Sequence, residues 1–173
     1  ALARTVARRS VVMLKNDDVL PLRRAGQKIA LIGPFANDRE NLAGCWNIFG
    51  DGTREIDLAT GLRAALADPA ALAVIDGCGI EEAIPGGVDA ACEAARACDV
   101  VVLAVKPQQM AGVARGIASE LAERRRVVVS IAAGITAAQL ERWLGGNIAV
   151  VRTMPNTPAL LGAGVTGLFA SER

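Results

Sequence analysis

Five short runs of mostly branched apolar residues, with helix-patterned segments between them, constrain the fold of this chain most. They are "KIALIG" (28–33), "LAVID" (72–76), "DVVVLAV" (99–105), "RVVVSIA" (126–132) and "NIAVVR" (147–152). Each run is continuous rather than alternating apolar and polar. Such a strand has to be covered on both faces, as in a parallel sheet flanked by helices. "DLATGLRAALAD" (57–68) supplies one helix, with Leu58, Leu62, Ala65 and Leu66 expected inward, and "GVDAACEAARA" (87–97) supplies another. Pro107 suits the first position of a third, whose apolar stripe is Met110, Val113, Ile117 and Leu121. Thr136 and Gln139 form a capping-box pattern for a fourth, which carries Leu140, Trp143 and Leu144 and is closed by Gly145. Residues 2–15 read as an N-terminal helix that "NDDVLPL" breaks, 35–56 as irregular, and "GVTGLFA" (164–170) as a sixth strand. The expected fold is one doubly wound, three-layer α/β domain over 1–173, flavodoxin-like or Rossmann-like. Its sheet is expected to be mostly parallel, with five to six strands. An apolar content of 52% suits one substantial core.

In a sheet of this kind, ligands bind beyond the carboxyl ends of the strands. Here those ends are Gly33-Pro34, Asp76-Gly77, Lys106-Pro107, Ala132–Gly134 and Thr153–Asn156. Several chemistries are excluded at once. The chain has no histidine, which removes Ser-His-Asp and Cys-His catalysis and any His-ligated metal. Cys45, Cys78, Cys92 and Cys98 form no CxxC pair, so no metal site is expected and reduced thiols are the default. A net charge of +1 gives no reason to expect nucleic acid. No run approaches the roughly 18 apolar residues of a membrane span, and "ALARTVARRS" is not followed by the apolar core of a signal peptide. A cytoplasmic location is expected, and the start at Ala1 reads as an excised segment.

The candidate motifs are few. Gly162-Ala-Gly164-Val-Thr-Gly167 matches a dinucleotide fingerprint in letters only: it follows a Pro-rich loop and almost ends the chain, so it reads as a turn into the last strand. "GPFAND", after the first strand, has one glycine where that fingerprint wants three. "GCWNIFGDG" (44–52) places Trp46 and Phe49 beside Asn47 and Asp51, either as a sugar-binding shelf or as a loop folded into the core. Asp38, Glu40, Asp51, Glu55, Asp57 and Asp76 lie near strand ends, but their spacing singles out no catalytic pair. Lys106 could meet a phosphate or a carboxylate, and "MPNTPALLGAG" (154–164) could line a ligand.

Two resemblances divide the chain. "ARRSVVMLKNDDVLPL" (7–22), "KIALIGPFANDRENLAGCW" (28–46), "ATGLRAAL" (59–66) and "ACDVVVLAV" (97–105) resemble the C-terminal α/β-sandwich domain of family 3 glycoside hydrolases, of β-glucosidase type. That resemblance implies hydrolysis of β-linked sugars by a nucleophilic Asp on a separate barrel domain. In many members an acid/base Glu follows the strand matching 99–105. Here "KPQQM" follows it, and the next Glu is Glu120. Trp46 matches a loop near the family's sugar site.

"LAVKPQQM" (103–110), "VVVSIAAGIT" (127–136), "WLGG" (143–146) and "VVRTMPNTPALLGAGVTGLFA" (150–170) resemble pyrroline-5-carboxylate reductase, which reduces a cyclic imine with NAD(P)H. That family's opening strand and Gly-rich loop have no counterpart here, and its helical dimerisation domain would begin after Arg173. The matching positions line the nicotinamide side: Val105, Lys106, Pro107, Ala133, Gly134 and Asn156.

The charge balance changes at the same place, from a net −3 over 1–104 to a net +4 over 105–173. The chain therefore reads as an engineered chimera, glycosidase-like over 1–104 and reductase-like over 105–173. Its two halves would close one sheet of order 2-1-3-4-5, with the last segment at the far edge. No catalytic activity and no cofactor are expected. Weak NADP binding at the six reductase positions and residual sugar binding at Trp46 are the alternatives. A monomer or a homodimer, including a strand-exchanged one, is expected, with no nucleic-acid or membrane partner.

Overall fold

The computed structural model describes residues 2–41, 55–155 and 165–171. In chain order the elements are α1 (Leu2–Arg9), β1 (Val11–Lys15), β2 (Ile29–Ile32), α2 (Leu58–Ala65), β3 (Leu72–Ile75), α3 (Gly87–Ala97), β4 (Val100–Leu103), α4 (Pro107–Ala122), β5 (Val127–Ser130), α5 (Ala137–Trp143), β6 (Ala149–Pro155) and β7 (Thr166–Ala170). A short 3-10 turn (Pro69–Ala71) precedes β3. The seven strands form one sheet of order β1-β7-β6-β5-β4-β2-β3. All neighbours are parallel except β6 and β7.

The five continuous apolar runs are β2 to β6 in the expected order, and "GVTGLFA" supplies β7 beside β6, but not at the far edge as expected, because β1 lies outside it. The sheet has one strand more than expected, because residues 2–15 are not a single helix. The helix stops at Arg9, where the Ser10 N–H and hydroxyl both donate to the Val6 carbonyl, at 3.0 and 2.9 Å. Val11-Val12 then turn extended and pair with β7, Val11 opposite Thr166 and Val12 opposite Gly167. Branched side chains favour that state, and β7 offers an unpaired edge, so tertiary pairing overrides the helical spacing.

Alternate residues of each strand face opposite layers. On one side Val101, Leu103, Val128 and Val150 pack against α3, α4 and α5, with Met110, Ile117, Leu121 and Leu140 at most 1% exposed. On the other side Leu31, Val100, Val102 and Val151 pack against Ala59 of α2 and against Val19 and Ala36. The expected helix stripes hold, except that Ala59 is the buried alanine of α2 and Ala65 is exposed.

The base of the sheet is tied by side chains that join its strands and helices. Asp99 accepts the Lys28 N–H at 2.8 Å and returns its own N–H to the Lys28 carbonyl. Arg126 is 3% exposed. It donates through Nε to the Cys98 carbonyl at 3.1 Å, through Nη2 to the Arg96 carbonyl at 2.8 Å, and through Nη1 to the Glu120 carbonyl. One guanidinium thus serves the exposed ends of α3 and α4 together, groups that their helices leave unpaired. Above it, α3 and α4 approach closely along small residues: Cys92 Sγ lies 3.2 Å from the Gly116 carbonyl, and a Cβ on Gly116 would stand 3.0 Å from Val88 Cγ1. Arg96 and Glu120 pair at 2.7 Å on the rim.

Replacing Arg126 by Met keeps much of the volume and strands the Glu120 carbonyl, while the Arg96 and Cys98 carbonyls still accept from Arg124 Nη2 at 3.2 and 2.9 Å. A loss of about 1–3 kcal/mol is expected in urea denaturation, with R126K intermediate because one ammonium cannot span all three groups.

Candidate functional site

The carboxyl ends of β2, β4 and β5 form the rim on which a site would be built. At β2 the chain leaves through Gly33, whose φ is +130°. A Cβ there would stand 2.0 Å from the Ala104 carbonyl oxygen and 2.7 Å from Val105 Cγ1. Glycine is required, and it lets the turn cross directly over the end of β4. The Gly33 N–H donates to the Ile75 carbonyl at 2.9 Å and the Phe35 N–H to the Ala104 carbonyl at 3.3 Å. The crevice between β2 and β4, where the winding of the sheet reverses, is closed by backbone.

The first crossover helix carries its own anion. Asp57, 4% exposed, is the N-cap of α2. Its carboxylate accepts the Thr60 N–H at 2.7 Å, the Thr60 hydroxyl at 2.9 Å and Arg39 Nε at 2.9 Å. Burial pushes the carboxyl up. The Thr60 N–H, the Arg39 guanidinium and the Thr60 hydroxyl together outweigh it and hold Asp57 below the usual range. The place where a helix end would attract a phosphate is thus taken by a side chain. In the sequence Asp57 stands as one of several carboxylates near strand ends. The signal for its role was local, an Asp directly before the periodic "LATGL" run, which is an N-cap position.

At β4, Val105 is 2% exposed and belongs to the core. Lys106 caps α4 with its carbonyl, which accepts the Gln109 and Met110 N–H groups at 3.0 and 3.1 Å, and Pro107 is the first helical residue. Lys106 Nζ lies 3.3 Å from Glu81 Oε1, and Glu81 is 83% exposed, so this pair is loosely held in water. Beside it, past β5, Ala133 and Gly134 are exposed, with Gly134 at φ +74° and open space where a Cβ would be. The chain then enters α5 through the expected capping box: Thr136 Oγ1 accepts the Gln139 N–H at 3.2 Å, and Gln139 Oε1 accepts the Thr136 N–H at 3.0 Å. The structure thus brings Lys106, Pro107, Ala133 and Gly134 to adjacent strand ends and places Val105 beneath them. Asn156 and Trp46 lie outside the described residues, as do Asp51, Phe49 and most of 154–164.

Asp38 is occupied with Asn41, accepting its N–H at 3.0 Å and its Nδ2 at 2.6 Å. Among the described residues no group of His, Cys, Asp and Glu could hold a metal. Cys78, Cys92 and Cys98 are free thiols, each pushed up chiefly by burial, with Asp76, Glu120 and Asp99 respectively adding to the effect. A thiol held protonated is a poor nucleophile. No helix among the described residues is long and apolar enough to cross a membrane.

The chain matches the family described as Glycosyl hydrolase family 3 C-terminal domain over residues 11–167. It belongs to that family. A periplasmic beta-glucosidase of Salmonella typhimurium is 31% identical over 148 residues, covering 73% of this chain and 18% of the enzyme. A second likeness lies across the first. A pyrroline-5-carboxylate reductase of Pseudomonas aeruginosa is 51% identical over 86 residues, covering 50% of this chain and 31% of the reductase. The solved pyrroline-5-carboxylate reductase of Coxiella burnetii superposes with a TM-score of 0.60 at 31% identity, over 84% of this chain and 50% of that one. The chain spans less than a third of the length of either curated relative. The match to the glycosyl hydrolase family 3 C-terminal domain extends well past residue 104, so the two likenesses overlap.

In this family 3 domain Asp57 is expected to be structural. Replacing it by Ala should cost about 1–2 kcal/mol at pH 7 in urea denaturation. Its folded pKa is depressed, so the stability it contributes is present above the unfolded value of about 3.9 and fades as pH falls through the lower folded value. The gap between the native chain and D57A should therefore narrow below about pH 4.

Proposed function

We propose that the chain is an engineered chimeric α/β scaffold, glycosidase-like over 1–104 and reductase-like over 105–173, that by itself catalyses neither parental reaction. The closed crevice between β2 and β4 carries this reading. A dinucleotide lays its pyrophosphate against the N-terminus of the helix after the first strand, over a glycine-rich turn. Here Gly33 abuts the Ala104 carbonyl and Asp57 occupies the end of α2, so an incoming phosphate would meet backbone and a second negative charge. Glycoside hydrolysis needs two free carboxyl groups facing one bond. Among the described residues, Asp38 and Asp57 are committed to Asn41 and to Arg39 and Thr60, which leaves Glu40, Glu55 and Asp76 of the candidate carboxylates. The buried, protonated thiols suit a reducing cytoplasm. The reading allows a monomer or a strand-exchanged homodimer.

One observation favours a second reading, a residual NAD(P)(H)-binding fragment. Lys106, Ala133 and Gly134 remain accessible at neighbouring strand ends, and a nicotinamide could rest there without the pyrophosphate contacts. Residual sugar binding would rest on Trp46.

Fluorescence titration with NADPH separates the two readings. The scaffold reading expects no saturable binding below about 1 mM. It also expects no NADPH oxidation with pyrroline-5-carboxylate and no aglycone release from an aryl β-glucoside. Submillimolar binding that is lost in Lys106→Ala would replace it with the second reading, and turnover in either assay would overturn the claim of inactivity.

A further inference from the structure

The α5 side of the sheet carries one charged residue with nothing suitable to bond. Ser130 of β5, Arg152 of β6, Phe169 of β7 and Lys15 of β1 are cross-strand neighbours and form one row. Beside α5 this row borders a cavity of about 560 Å³, walled by Leu14, Phe169 and Ala138 with Arg152, Lys15 and Glu141 among its polar groups. Among the described residues, Arg152 Nε is shut from water without a hydrogen-bond partner, and Nη2 meets the Met154 sulfur alone, at 3.6 Å. A thioether is a weak acceptor for a guanidinium. Glu141 lines the same cavity, yet no ion pair joins it to Arg152. Lys15 lies 3.4 Å from Asp17 and 5.8 Å above the Phe169 ring, so it lends positive charge to the rim.

We propose that this cavity is a binding site for a small monocarboxylate with an apolar body. The carboxylate takes the fork of Arg152 once the outer torsions of that side chain turn toward the cavity. The body lies against Leu14, Phe169 and Ala138. A planar guanidinium matches a carboxylate with two parallel hydrogen bonds. Apolar walls and the nearby Glu141 disfavour a doubly charged anion such as a phosphate monoester. Leu14 and Phe169, 70% and 37% exposed, would be covered by the ligand. The site is independent of the crevice at β2 and β4.

Calorimetric titration of the full chain with 4-phenylbutyrate and with 4-phenylbutanol tests it. The acid should bind with a Kd below about 1 mM, and the alcohol at least about tenfold more weakly. Arg152→Met should lower acid affinity to that of the alcohol while leaving the alcohol unchanged. Glu141→Gln should tighten acid binding a few-fold by removing a competing anion. No saturable acid binding up to about 10 mM, equal binding of acid and alcohol to the native chain, or undiminished acid binding in R152M would each overturn the proposal. The acid–alcohol comparison needs no variant and decides the matter even where R152M is unfolded.

Discussion

Strand β4 is four residues long, and each of its residues is paired on both edges. Val100 to Leu103 stand opposite Ile29 to Ile32 on one side and Val127 to Ser130 on the other, all in parallel register. None of the four is more than 5% exposed. A one-residue slip on either edge would exchange the residues facing α3 and α4 for those facing α2, so the register of the whole sheet is fixed at this strand. The helices follow from it. α3 leads into β4 and α4 leads out, and they lie side by side on the same face, with small residues at their contact. Arg126 then ties their exposed carbonyls beneath the sheet.

The two ends of the sheet are built to opposite ends. At the base, Asp99 and Arg126 satisfy backbone groups of Lys28 and of the C-terminal ends of α3 and α4. At the top, the loops after β4 and β5 leave Lys106, Ala133 and Gly134 open to solvent, whereas the turn after β2 closes tightly on Ala104. Among the described residues the rim therefore has one open part, after β4 and β5, and one closed part, after β2.

Much of the fold was legible because the strands are unbroken apolar runs and the helices carry ordinary signals. Pro107, the Thr136–Gln139 box and the glycines at 145 and 146 each mark a boundary that the backbone keeps. The edge was not legible. Val11 to Leu14 are apolar at spacings that fit helix or strand, and only the free edge of β7 selects the strand. The site was legible in position but not in state. Strand ends can be read from sequence, but the burial of Val105 and the closure at Gly33 depend on how near two backbones come, which no local pattern encodes. Arg152 was missed for the same reason. In sequence it is one more arginine in a strand, and its lack of an acceptor appears only when β6, β7 and α5 are assembled around it.

The middle strand is one place where the two family likenesses make the same demand. A doubly wound sheet asks the same of its central strand in any family: a short, branched, doubly buried run with helices entering and leaving on one face. "VVVL" meets that demand for a glycosyl hydrolase domain and for a reductase domain alike. At those four residues the two families are hard to tell apart, whereas 51% identity over 86 residues to a reductase runs far beyond one strand. Chemistry is set beyond the strand, by the loops at its carboxyl end. There the chain presents Lys106 and Pro107, while the position opposite is filled by the turn at Gly33. The strand is therefore silent on which family's chemistry the chain carries, and the loops at its carboxyl end are where that difference would lie.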